Sequence, residues 1–153
     1  MLLIEDNADV RENTAEILSL ASYEVITAVN GKEGAEAAQK VLPDLIVCDI
    51  MMPELDGYGV LHILSKRPET ASIPFIFLTA KAEKQDMRKG MNLGADDYLT
   101  KPFDDTELLN AIEVRLKKHE LYKKYDATPE GLDAFIQDAG QALKVKTLAR
   151  IVR

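Results

Sequence analysis

Residues 44–49 read DLIVCD, four apolar side chains in succession with an acid at each end. Such a run is too short for a buried helix, and it lacks the alternation of a half-exposed strand. It fits a strand covered on both faces, which belongs to a parallel sheet packed between helices. The signal recurs along the chain. Residues 1–4 are apolar and stop at Glu5-Asp6, and residues 73–78 (IPFIFL) stop at Thr79. Residues 23–29 are rich in β-branched side chains, and residues 97–99 form a short run before Thr100-Lys101-Pro102. Helical spacing fills the intervals at 8–20, 32–42, 58–65, 81–93 and 104–124. Asn30-Gly31, Pro43, Asp56-Gly57 and Gly94 mark the breaks, and Asp104 or Asp105 is the expected cap of the last helix. Five strand–helix units in this order predict an open, doubly wound α/β domain with a five-stranded parallel sheet. In such sheets ligands bind at the carboxyl ends of the strands.

Composition narrows the function. With 153 residues, 46% of them hydrophobic and 29% charged, the chain can build one ordinary core. No apolar run approaches the ~18–20 residues of a membrane span. The N-terminus turns acidic after Ile4, unlike a signal peptide. Cys48 is the single cysteine, which excludes an internal disulfide and a cysteine-rich zinc site. A cytoplasmic location without membrane contact is therefore expected. The net charge is −7, and the first 125 residues carry all of it, with 22 acids against 15 bases. No basic face is apparent, so direct nucleic-acid binding by these residues is not expected.

The strand ends hold Glu5, Asp6, Asp49 and Thr79, with Lys101 following the fifth strand. Any one of them reads as a helix cap or loop polarity. Together they would bring three carboxylates, a hydroxyl and an amine to one sheet edge. Carboxylates so close repel, and a cation would offset them. Hard oxygen ligands with few dedicated protein groups suit Mg²⁺, which keeps waters and leaves room for phosphate oxygens.

Four segments then become recognisable: LLIEDN at 2–7, PDLIVCDIMMPELDGYGVL at 43–61, IPFIFLTA at 73–80 and GADDYLTKPF at 94–103. With these in this order, the chain resembles a response-regulator receiver domain of bacterial two-component signalling. That family has a chemotaxis-regulator-like, flavodoxin-like (βα)5 fold. The resemblance covers nearly all of residues 1–124 and implies roles residue by residue. Asp49 would accept a phosphoryl group from a phosphohistidine on a sensor histidine kinase or phosphotransfer protein. Asp6, Asp49 and the main-chain carbonyl of Met51 would hold Mg²⁺, with Glu5 nearby through water. Lys101 would pair with the phosphoryl group, and Thr79 would donate a hydrogen bond to it. The small Ala80 would leave the site open, and the Lys101-Pro102 peptide is commonly cis in the family. The protein would catalyse only its own phosphorylation and dephosphorylation.

The resemblance also implies a switch. A phosphoryl group adds about −1.5 to −2 of charge and three acceptor oxygens. These would draw the Thr79 hydroxyl inward, and Tyr98 would rotate from outward to inward. Taken alone, Tyr98 reads as a half-buried aromatic with its hydroxyl in water. Opposite charges on the same face, among them Arg88, Asp97 and Arg115, could pair across a two-fold axis, so a homodimer is one arrangement the sequence allows.

Residues 1–125 form the expected receiver domain and 126–153 a helical extension. Thr128-Pro129-Glu130 looks like a helix start, and Leu132, Phe135, Ile136, Ala139 and Leu143 make an apolar stripe. That helix either packs on a neighbour or opens a missing output domain. Rival functions fare worse. A Mg²⁺-dependent aspartyl phosphohydrolase wants a second Asp two residues after its nucleophile, where this chain has Met51. A flavin carrier wants a hydroxyl-rich phosphate loop, where this chain has the acidic EDNAD. A degenerate receiver serving only as a protein-binding scaffold would have lost some of the five site residues, and all are present.

Overall fold

The computed structural model describes residues 1–80 and 84–124. Five strands, β1 (Leu2–Ile4), β2 (Ile26–Ala28), β3 (Ile46–Asp49), β4 (Phe75–Thr79) and β5 (Asp97–Thr100), form one sheet. All pairs are parallel, in the order β2-β1-β3-β4-β5. The helices are α1 (Ala8–Leu20), α2 (Gly31–Val41), α3 (Gly57–Ser65), α4 (Pro68–Ala71), α5 (Lys84–Asn92) and α6 (Asp105–Lys124). The winding reverses between β1 and β3, and a crevice opens at their carboxyl ends.

Strand periodicity divides the core into two layers. Leu2, Ile4, Ile46, Cys48, Phe75, Phe77 and Tyr98 point to one side, where they pack with Ala35 and Ala38 of α2 and Val60, Leu61 and Leu64 of α3. Leu3, Val47, Ile76 and Leu78 point to the other and meet Leu18 of α1 with Leu108 and Ile112 of α6. Alternate side chains go to opposite faces, so a strand that is apolar throughout feeds both layers. The edge strand β2 is the exception, with Ile26 and Thr27 exposed and only Ala28 buried.

Side-chain caps fix where helices begin. Asn7 Oδ1 accepts from the Val10 amide at 3.1 Å, and Asn30 Oδ1 from the Glu33 amide at 2.8 Å. Asp56 Oδ1 accepts from the Gly59 amide at 2.9 Å, and Asp104 Oδ1 from the Glu107 amide at 2.7 Å. Of the two caps expected for the last helix, Asp104 is the one used. Helix α2 ends at Leu42, whose left-handed φ of 51° turns the chain just before Pro43.

One detail differs from the sequence reading. The four-residue α4 was not expected, because one turn leaves no periodicity to detect. Helix α6 buries Leu108 and Ile112, one turn apart, whereas Leu109 is only partly covered. The chain divides into two units, Met1–Leu116 and Lys117–Arg153. The first contains the entire sheet. Of the second, residues 117–124 are described, as the last turns of α6. The expected tail helix and its apolar stripe lie outside the described residues. No helix among the described residues is long and apolar enough to cross a membrane.

Candidate functional site

The parallel register sets which strand ends meet. β1 and β3 are neighbours, as are β3 and β4, and β4 and β5. Their final residues therefore rise along one edge: Glu5-Asp6 after β1, Asp49 closing β3, Thr79 closing β4 and Lys101 after β5. One carboxylate oxygen from each of Glu5, Asp6 and Asp49 lies within 4.8 Å of the others. Glu5 and Asp49 are 3% and 8% exposed, while Asp6 faces solvent. Lys101 Nζ donates to Glu5 Oε1 at 2.7 Å and to Asp49 Oδ2 at 3.4 Å. The Lys101 amide donates to the Thr79 carbonyl at 2.8 Å, which ties the lysine to the end of β4. Thr79 is fully buried. The Lys101-Pro102 peptide is cis.

Electrostatics follow from this crowding. Burial pushes the Glu5 carboxyl up to about 7, aided by Asp49 and opposed by Lys101. Burial alone would pull Lys101 down, but Glu5 and Asp49 outweigh it and hold the ammonium above its ordinary value. One cation thus serves two buried carboxylates. Glu5 Oε2 is buried and has no hydrogen-bond partner among the described residues. A buried acceptor without a donor, beside two further carboxylates, fits a hard divalent cation by both charge and donor type. The residues present therefore suit Mg²⁺.

The loop after Asp49 is pinned beneath the site. The Gly57 amide donates to the Ile50 carbonyl at 2.9 Å, and the Met51 amide to Asp49 Oδ1 at 3.3 Å. A Cβ on Gly57 would stand 2.5 Å from the Asp49 carbonyl oxygen, so only glycine permits this approach.

Glu5, Asp6, Asp49 and Lys101 of the expected side chains come together here, and Thr79 closes the neighbouring strand, with its main-chain carbonyl bonded to Lys101. Tyr98 is more buried than the half-buried ring it reads as when taken alone. It is 7% exposed and packs edge-to-face against Phe77 at 6.1 Å. Gly90 makes room, since a Cβ there would meet the Phe77 ring at 3.1 Å and the Tyr98 ring at 3.4 Å. The sequence reading also missed Arg11. Its Nη1 donates to the main-chain carbonyl of Glu5 at 2.9 Å and to that of Asp6 at 3.4 Å, clamping the acidic pair from α1. An arginine one turn into the helix that follows two acids was the available signal. Two of the charges considered for a dimer face, Arg115 and Asp97, approach each other within the chain at 3.9 Å.

Comparison with known proteins agrees with this geometry. Residues 1–113 match the family model described as the response regulator receiver domain. The DNA-binding dual master transcriptional regulator RpaA of Synechocystis is 40% identical over 118 residues, which are 77% of this chain and 49% of that protein. The chain spans about half the length of the curated relatives it matches. Among solved structures, the receiver domain of Francisella response regulator 1452 is 32% identical with a TM-score of 0.72, over 76% of this chain and 95% of that one. The receiver domain of sensor histidine kinase PA1611 from Pseudomonas aeruginosa, solved with magnesium coordinated in its active-site cleft, is 29% identical with a TM-score of 0.71, again over 76% and 95%.

Proposed function

Because the chain belongs to the response regulator receiver domain family, we propose that it is a phosphorylation-dependent signalling switch whose acceptor is Asp49. The observation that carries this reading is the surrounding of that carboxylate. It closes β3 at the crevice, within 3.4 Å of the Lys101 ammonium and beside Glu5 and Asp6.

The transfer needs little covalent chemistry from the protein. One Asp49 carboxylate oxygen attacks phosphorus of a phosphohistidine on a partner kinase or phosphotransfer protein. The O–P bond forms as the N–P bond breaks, and the leaving imidazole takes up a proton. Positioning and charge do the rest. Lys101 supplies a positive charge beside the acceptor and is free to exchange a carboxylate for a phosphoryl oxygen. Thr79 donates its hydroxyl to another of the new oxygens. Asp6, Asp49 and the main-chain carbonyl of Met51 would hold Mg²⁺, with Glu5 beside them, and the ion when bound offsets charge on the phosphoryl oxygens. Arg11 keeps the Glu5 and Asp6 backbone in register with Asp49.

The readout runs through Thr79 and Tyr98 to the face formed by α5, β5 and α6. Residues 1–125 are the receiver, and 126–153 are an extension that either packs on a neighbour or opens an output domain. A relative named as a DNA-binding transcriptional regulator supports an output of that class. A homodimer on the same face is compatible with this reading.

Chemical trapping tests the assignment. The protein is treated with acetyl phosphate and Mg²⁺, then reduced with borohydride, which converts an aspartyl phosphate to homoserine. Peptide mass analysis should locate homoserine at position 49. Homoserine elsewhere, or none despite the metal, would overturn the proposal.

A further inference from the structure

Helix α5 is nine residues long, and among residues 85–92 only Gly90 is buried. Its apolar side chains, Met87 and Met91, are 37% and 46% exposed. A helix this short is marginal by itself and takes its stability from what it packs against. With no buried apolar side chain among these residues, α5 depends on the groups that reach it from elsewhere. Gly90 lets it approach the rings of Phe77 and Tyr98, where a Cβ would come within 3.1 and 3.4 Å. Two further contacts end on one side chain, Tyr58 in the first turn of α3. The Tyr58 hydroxyl donates to the main-chain carbonyl of Asp86 at 3.0 Å, and the Lys89 ammonium lies 4.5 Å over the face of the Tyr58 ring. Asp86 and Lys89 are one turn apart, so both lie on the side of α5 that carries Gly90.

Tyr58 is suited to hold a helix in place. It is 6% exposed, and its ring meets Phe77 edge-on at 5.4 Å. Next to it, the Gly57 amide donates to the Ile50 carbonyl at 2.9 Å, which fastens the start of α3 to the end of β3. The hydroxyl thus stands on a packed base, and its bond to α5 forms between groups already in place. We infer that Tyr58 is a positioning residue that anchors α5 to α3 and so sets how readily α5 opens. A hydrogen bond to a main-chain carbonyl and a cation over a ring hold the helix without enclosing it. Segments attached in this way open locally at less cost than the sheet does. Helix α5 forms one side of the output face described above, so the bearing of the anchor on signalling rests on that reading.

Amide hydrogen exchange of the full chain, followed by NMR, tests this. In the untreated wild type, the amides of residues 88–92 should exchange through an opening of α5 alone, faster than the ladder amides of β3 and β4. Tyr58→Phe keeps the ring against Phe77 and removes the hydroxyl. It should lower protection at residues 88–92 about fivefold, the weight of one hydrogen bond, and leave the amides of α1 and α2 as they were. Lys89→Gln should lower protection of the same amides about twofold more than Arg88→Gln, which removes an equal charge from the neighbouring position. If Tyr58→Phe does not fold, this second pair decides, and equal losses in the two overturn the inference. Unchanged protection of α5 in a folded Tyr58→Phe overturns it too, as does an equal loss in α1, α2 and α5, the mark of a general packing role. Beryllofluoride with Mg²⁺ should alter α5 protection in the wild type. If it does not, while Tyr58→Phe releases α5, the anchor stands and the coupling of Asp49 to α5 falls.

Discussion

Replacing Gly57 by alanine should damage the site from below without touching a reacting group. The new Cβ would lie 2.5 Å from the Asp49 carbonyl oxygen and 2.8 Å from the Ile50 Cα, both backbone atoms. Ordinary contact begins near 3.4 Å, so the end of β3 or the start of α3 must give by about 0.9 Å. Overpacking of this kind costs ~1–3 kcal/mol. Against it stands the ~0.4–1 kcal/mol that alanine gains over glycine in a helix. The net loss of ~1–2 kcal/mol corresponds to a fall in Tm of about 4–10 °C for a domain of this size. Misplacing the acceptor by about 1 Å can cost up to ~100-fold in rate. Gly59→Ala is the matched control in the same helix, because its Cβ meets the flexible end of Leu55 rather than backbone. That variant should hold its Tm within about 2 °C and phosphorylate normally, since a side-chain end turns away at little cost. Thermal melts and acetyl phosphate uptake by intact mass measure both. A Gly57→Ala protein as stable and as fast as Gly59→Ala would refute the reasoning.

Three further outcomes are expected. Mg²⁺ affinity should fall more in Asp6→Ala than in Glu5→Ala, because Glu5 is engaged by Lys101 at 2.7 Å while Asp6 is exposed; titration calorimetry giving equal or reversed losses would contradict this. Cys48 should resist iodoacetamide until the protein unfolds, since it is buried, its Sγ donates to the Asp49 carbonyl at 3.2 Å, and burial pushes its thiol up; alkylation of the native protein at the rate of a free thiol counts against the packing described. A chain ending at Tyr125 should take up phosphate at nearly the full rate, because all five site side chains precede Pro102; a large loss would give residues 126–153 a part in the chemistry.

Much of the site is legible in the sequence because a buried strand has to stop somewhere. An apolar run ends where the chain leaves the sheet, and the polar residue at that point is visible as Glu5, Asp49 or Thr79. Parallel winding then puts those ends on one edge, so convergence follows from topology. What escapes the sequence is whatever depends on three-dimensional neighbours. Tyr98 reads as half-exposed on its short strand, and its burial comes from the space beside Gly90 and the ring of Phe77. Tyr58 looks like any apolar position of α3 until its hydroxyl is seen reaching the α5 backbone. Arg11 contacts backbone carbonyls, a role no side-chain motif records. The single turn of α4 is held by Thr70, whose hydroxyl donates to the Leu64 carbonyl at 2.6 Å, a tertiary bond with no local periodicity.

The most direct measurement compares wild type with Asp49→Asn by intact mass after incubation with acetyl phosphate and Mg²⁺. The substitution keeps the shape of the side chain and removes the nucleophilic charge from the end of β3. The wild type should gain one phosphoryl group, lost again on treatment with hydroxylamine, and the variant should gain none. Uptake of one phosphoryl group by Asp49→Asn at the wild-type rate would contradict the assignment of Asp49 as the acceptor.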